Sequence, residues 1–289
     1  MGFVFHVATV ALLYATAAAG LSVIVRTAGL VSLAHPVFVA VGAYGATILA
    51  ARYHLSFLPA VALAIALAGA LAWLVVGPLC RLSGEFFVLG TFAIITVAAS
   101  LATNLTALTG GPMGLSNRTD ARLWGMSMDT PRVFLFMVLG VCILIVLVTR
   151  KFVLSLGGIA LRAQREAAVD TALLGYDVAR LRRWAFSLGA AAAGATGALM
   201  IFYERFIDPS VLSLDAAMLY LSFTLLFSAE TPVASAIGAL LLVMLQEALR
   251  LATLPALVAA NLRVIIVGGA VLLILSHRGS SFESPDALP

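Results

Sequence analysis

The sequence predicts an all-α membrane protein: a polytopic transmembrane helical bundle of about eight to ten spans, with one charged helix held outside the bilayer. Three observations predict it. The 289 residues are 63% hydrophobic and only 10% charged, where a soluble domain carries about 25% charged residues. Apolar runs of bilayer-crossing length recur along the chain, rich in Ala, Leu and Val; a membrane barrel would show short alternating strands instead. And much of the charge is gathered in one internal segment, LRAQREAAVDTALLGYDVARLRRWAF at 161–186.

The first run, 3–25, lacks a basic start and a small-residue cleavage site, so it is expected to be a retained span and not a removed signal peptide. The second, 29–51, contains Pro36, which removes a backbone donor and marks a possible break. The third and fourth follow at 57–79 and 85–108. The stretch 109–131, TGGPMGLSNRTDARLWGMSMDTP, is polar and forms an external loop in which Gly110, Gly111 and Gly114 are candidate contact positions or simple turn residues. The fifth run is 132–149, and 150–183 is too charged to cross. After it come runs at 184–203, 213–229, 233–252 and 258–276, the eighth opened by Pro232.

Orientation rests on the segment 150–183, which holds Arg150, Lys151, Arg162, Arg165, Arg180, Arg182 and Arg183. The positive-inside rule makes it cytoplasmic. Alternation then places Arg26, Arg81 and Arg278 on the same side, and Arg52, Arg118, Arg122, Arg132, Arg205, Arg250 and Arg263 on the other. Trp124 and Trp184 suit interfacial positions. The net charge of +4 fits anchoring at a membrane surface, and nothing in the chain suggests nucleic-acid binding.

Within the segment, Gly157-Gly158 and Gly175 bracket about four turns of helix. Arg162, Arg165, Glu166, Val169 and Asp170 fall on one face; Ala163, Ala167, Thr171 and Leu174 form a shallow small-residue face beside it. Arg162 and Glu166 are spaced to pair. Gly175 suits the position after a helix end, and Asp177 suits the N-cap of the next helix. Each Arg or Asp at mid-bilayer would cost about 2.5–3.5 kcal/mol, so this helix lies along the membrane surface. It serves as an anchor to headgroups or as a docking element for another protein.

Small residues recur every four positions at Gly42, Ala46 and Ala50, and at Ala190, Gly194 and Ala198 with Gly197 alongside. That spacing lets helix backbones approach closely, and packing within one bundle is the expected use. Cys80 and Cys142 have no metal-ligand spacing and read as packing residues. The four histidines, His6, His35, His54 and His277, are scattered; His35 alone lies near a plausible pathway, with a structural hydrogen-bonding role favoured over solute contact. Glu85 and Glu230 are placed at span ends, and Glu247 is spaced to pair with Arg250. The single lysine, Lys151, follows Thr149-Arg150 and not a glycine-rich turn, so no Walker A loop is present. No metal, cofactor or catalytic constellation is expected.

The stretch 161–199, LRAQREAAVDTALLGYDVARLRRWAFSLGAAAAGATGAL, closely resembles permeases of bacterial ABC importers of the branched-chain amino-acid type, whose pattern runs GRALRAIRE, then A..LGYDV, a basic cluster and AF.LSAALAGLAGAL. GLVSLAHPVFVAVGAYGA at 29–46, with His35, Pro36, Gly42 and Tyr44, resembles the family's G..SLGHGAFFGLGAYAA, and LTGGPMGL at 108–115 resembles its TGG..GL loop. The chain departs from the pattern at FSAETPVASAIGA, 227–239. There the family's glycines are replaced while Thr231, Gly238 and Ala239 remain, which makes it a divergent member.

The resemblance implies a single permease domain over 1–289 in a bacterial inner membrane. Residues 162–175 would be a coupling helix seated in an ATPase subunit. The partners would be two ATP-binding subunits, a second related permease and a periplasmic solute-binding protein. The cargo would be branched-chain amino acids, or urea or short amides. The rival readings are an ATP-independent channel or carrier and a non-transporting scaffold subunit.

Overall fold

The computed structural model describes residues 2–79, 82, 84–117, 119, 122–123, 126–127, 130–166, 176–225, 231–251 and 269, with backbone alone at 122–127, 165–166 and 248–251. It is an all-α polytopic bundle. Helix α1 (Gly2–Ser22) runs on into a π-helical turn, Val23–Thr27. Next come α2 (His35–Arg52), α3 (Phe57–Leu79), α4 (Glu85–Asn104) and the single turn α5 (Thr106–Thr109). After the loop strands come α6 (Pro131–Leu154), α7 (Leu156–Glu166), α8 (Val178–Glu204), α9 (Leu214–Leu225) and α10 (Pro232–Leu251). Among the described residues, five helices are long and apolar enough to cross a membrane: α1 with its π turn, α3, α4, α6 and α8. The expected ninth run, 258–276, lies outside the described residues.

Two layers follow from composition. In α1 and α8, 83% and 78% of the apolar window is buried inside the chain; in α4 and α6 the share is 22%. The outer helices turn large side chains outward, among them Phe86, Leu89, Phe136 and Leu144. In lipid this costs nothing, since acyl chains are as apolar as leucine. The inner helices are built from alanine and glycine because they must touch other helices on every side.

Helix α8 is the hub. It packs on α1, α2 and α3 through glycines that leave no room for a side chain. A methyl added at Gly189 would lie 2.6 Å from Ile24 Cδ1 and 2.8 Å from the Gly20 carbonyl; Gly42 of α2 rests on the Gly194 backbone, and Gly197 on the Val39 carbonyl. Gly194 also faces Ala68 of α3. Ala46, Ala50, Ala190 and Ala198 are buried in the same seams, so the small-residue stripes serve helix packing. Hydroxyls bridge the contacts: Ser187 Oγ donates to the Gly69 carbonyl at 2.8 Å, and Thr196 Oγ1 to that of Leu13 at 3.2 Å. Other buried hydroxyls bond one turn back along their own helix, as Thr16 does to Leu12 (2.8 Å) and Thr47 to Ala43 (2.8 Å).

Pro36 does not interrupt a span. It occupies the first turn of α2, where a missing N–H is tolerated. Residues 28–34 form a non-helical link, buried except at Gly29 and Val31, in which Leu30 N–H donates to the Ile24 carbonyl (3.2 Å) and Leu33 N–H to Thr91 Oγ1 (3.1 Å). Irregular backbone at this depth requires such partners.

Gly197→Val forces a side chain into the α2 backbone and is expected to cost about 1–3 kcal/mol, read as a lower unfolding temperature in detergent micelles. Gly140, with nothing within 4 Å of an added methyl, supplies the contrast. Gly140→Ala should leave the midpoint unchanged or raise it.

Candidate functional site

The charged arm leaves the bundle at a tight elbow. Helix α6 ends at Leu154, and Ser155 turns the chain into α7, its Oγ donating to the Phe152 carbonyl at 2.6 Å while accepting from Gly158 N–H at 3.3 Å. A methyl on Gly158 would come within 2.5 Å of the Phe152 and Val153 carbonyls. Gly157 and Gly158 therefore lie inside the first turn of α7 and do not precede it, because only glycine allows the two helices to meet so closely. Leu161 and Ala160 are buried beneath α7. Arg162 bonds the Val153 carbonyl at 3.0 Å, reaching back to α6, and Gln164 Oε1 accepts from Arg182 at 3.1 Å. The arm is thus tied to α6 on one side and α8 on the other. Arg165 and Glu166 are the last described positions of α7, but their side chains, and the expected sites Ala167, Asp170, Leu174 and Gly175, lie outside the described residues. The chain re-enters at Asp177, whose carboxylate accepts from Arg180 N–H at 3.0 Å and caps α8.

Deeper in, the start of α2 meets the middle of α9. His35, at the start of α2, is 1% exposed. Its ring meets Tyr220 of α9 edge-on with centroids 5.4 Å apart, and Tyr220 in turn packs on Tyr14 of α1 at 5.7 Å. Neither imidazole nitrogen has a partner at full hydrogen-bond geometry among the described residues, and the Ala17 backbone lies beside the ring. Ring packing on Tyr220 adds to the structural role expected of His35. Tyr44, in the next turns of α2, is also buried, with its hydroxyl unpartnered among the described residues.

Helix α9 is described over 12 residues, Leu214–Leu225. Its last described carbonyls are met by Arg26, 4% exposed in the π turn of α1. Arg26 donates to the Thr224 carbonyl at 2.9 and 3.2 Å and to the Leu225 carbonyl at 3.2 Å. A buried guanidinium is satisfied by such carbonyl acceptors. Sequence reasoning assigned Arg26 only to the cytoplasmic side of the membrane and missed this role. The available signal was its setting, a lone arginine in VIVRTAGLV.

At the opposite end of the bundle from the arm, Gly110, Gly111 and Gly114 all adopt positive φ (+73°, +62° and +69°). Gly114 lies hard against the Ile207 carbonyl and Asp208, where a side chain would clash as well as strain the backbone. The turn they build delivers strand β1 (Leu115–Ser116) to pair antiparallel with the segment after α8 (Phe206–Ile207), Leu115 opposite Ile207. Arg205 adds a bond to the Thr119 carbonyl at 2.6 Å, and Arg52 a further one to that of Ala107. Two more short strands, β2 (Arg122–Leu123) and β3 (Met126–Ser127), pair farther along the loop. Thr231 accepts from Ala234 N–H at 3.2 Å and caps α10; the replaced glycines just before it lie outside the described residues. Among the described residues no three His, Cys, Asp or Glu gather to hold a metal.

Arg26→Met should remove the donor to the Thr224 and Leu225 carbonyls at a cost of about 1–3 kcal/mol. Hydrogen exchange should show faster opening of residues 222–225. His35→Phe, which keeps the ring against Tyr220, should unfold near the wild-type temperature, whereas His35→Ala should lose several degrees in the same micellar melt.

The pattern that defines the family described as "Branched-chain amino acid transport system / permease component" matches residues 3–275. The high-affinity branched-chain amino acid transport system permease protein LivM of Escherichia coli (strain K12) is 28% identical over 268 residues, covering 84% of this chain and 63% of that protein. LivM of Salmonella typhimurium (strain LT2) aligns with the same identity and coverage. The chain thus spans about 63% of the length of the curated relatives it matches. No solved structure matches it. With the family pattern running from the first turn of α1 to past the end of α10, the chain belongs to the permease components of branched-chain amino acid transport systems.

Proposed function

We propose that this chain is the membrane-spanning permease subunit of an ATP-driven importer of branched-chain amino acids in a bacterial inner membrane. It works beside a second, related permease, two ATP-binding subunits on the cytoplasmic face and a periplasmic solute-binding protein. The observation that carries the reading is the family match over residues 3–275. The sequence adds that the chain has no phosphate-binding lysine after a glycine-rich turn, so the energy source is a separate subunit.

The mechanism is alternating access. Closure of the ATPase pair shifts the arm from Arg162 to Gly175. The shift passes to α6 through the Ser155 elbow and the Arg162–Val153 bond, and to α8 through the Arg182–Gln164 bond. Arg165, Glu166 and Asp170 set the register of the arm in the ATPase cleft, while Ala167 and Leu174 supply a shallow face for close seating. At the other end, the turn built on Gly110, Gly111 and Gly114 receives the solute-binding protein.

Glu166→Arg, or Gly175→Trp, is expected to abolish co-purification with the ATPase subunits and ATP-dependent uptake of leucine in proteoliposomes, while the chain still inserts and elutes as a single species. Uptake that persists without any ATPase, or co-purification unchanged by both substitutions, would sink the proposal.

A further inference from the structure

At the arm's end of the bundle, two adjoining open cavities lie along α3 and α8. The first, of about 410 Å³, is lined by Trp73, Leu74, Gly77, Pro78 and Arg183. The second, of about 510 Å³, is lined by Trp73, Asp177, Ala179, Arg180 and Arg183. Trp73 and Arg183 form the wall between them. The two differ in character: one is mostly indole, leucine and proline, the other faces the guanidinium groups.

We propose that this pair of cavities seats one anionic phospholipid, with its phosphate between Arg180 and Arg183 and its glycerol and upper acyl chain along Trp73 and Leu74. Four features support it. Arg183 Nε is buried with no hydrogen-bond partner among the described residues, and its Nη2 reaches the Gly77 carbonyl only at 3.4 Å, so the guanidinium retains donors for an incoming oxygen. Asp177, the one carboxylate among the described lining residues, accepts from the Arg180 backbone N–H, so two cations share the lining with one anion. Trp73 and Trp184 stack with centroids 4.8 Å apart, an indole pair of the kind that settles at headgroup level. Leu74 and Trp184 are 71% and 51% exposed beside the first cavity, presenting an apolar rim to the surrounding chains. Basic pockets between membrane helices are suited to anionic headgroups, and the planar guanidinium matches phosphate oxygens in pairs. Inorganic phosphate shares the polar half of this chemistry but would leave the indole and leucine wall uncovered.

The chain has three tryptophans. Trp124→Phe leaves Trp73 and Trp184 as the only indoles, both at the site. The full-length protein with this change is placed in phosphatidylcholine nanodiscs doped with either brominated phosphatidylglycerol or brominated phosphatidylcholine, and quenching of indole fluorescence is measured. Brominated phosphatidylglycerol is expected to quench at lower mole fraction. Arg180→Gln with Arg183→Gln should erase that preference by about fivefold per arginine, while the Lys pair keeps part of it and Arg150→Gln, at the same end of the bundle, keeps all of it. Equal quenching by the two lipids, or equal loss in Arg150→Gln, overturns the proposal. So does loss of the preference on adding excess inorganic phosphate, which would make free phosphate the ligand. The lipid comparison needs neither arginine substitution, so it stands even if the Gln pair fails to fold.

Discussion

Everything else in this molecule depends on how closely three helices approach α8. In water, helices are driven together by burying apolar surface; in a bilayer that drive vanishes, because lipid is as good a solvent for leucine as protein is. What remains is direct contact, and contact is richest where backbone meets backbone. The AAAAGATGA run of α8 and its facing glycines, Gly20 and Gly42, provide that approach from two sides, and Ala68 from a third. With these seams closed, α4 and α6 can be almost entirely lipid-facing without loss of order.

Such a bundle leaves the problem of backbone groups that helix geometry does not pair. Each one in the interior must find a partner. The Thr224 and Leu225 carbonyls of α9 accept from Arg26, and in the link before α2 the Leu33 and Ala34 N–H groups donate to the hydroxyls of Thr91 and Ser32. Some polar groups in the interior complete backbone outside regular helix, and others bond back along their own helix. His35 and Tyr44 are among those whose polar atoms stay unpartnered among the described residues. The family resemblance to a histidine-bearing motif at this position attaches to the place where α2 and α9 meet.

Much of this was legible in the sequence because composition and periodicity report directly on solvent. The helical class, the apolar runs that became α1, α3, α4, α6 and α8, the small-residue seams and the Asp177 cap all follow from local signals. What escaped were features made by distant partners. Nothing near Arg26 in the chain announces that its acceptors lie almost 200 positions away. The start of α2 at His35 was obscured because residues 28–34 are as apolar as a span, so hydropathy could not separate buried link from helix. Gly157-Gly158 read as a boundary because glycine usually ends helices; here the same residues serve a steric need inside one. Of the arm's contact face, only the portion through Gln164 has described side chains, so its docking roles rest on sequence and resemblance.

The pairing of Leu115–Ser116 with Phe206–Ile207 has a further consequence. Helix α8 is a stiff rod of 27 residues, about 40 Å long, fastened by Arg182 to the arm at one tip and by a short ladder to the far loop at the other. One helix therefore carries at its two tips the contacts of the arm and of the Gly110–Gly114 turn. In the mechanism proposed above, a load on α7 would need no relay of side-chain rearrangements to be felt at the far loop.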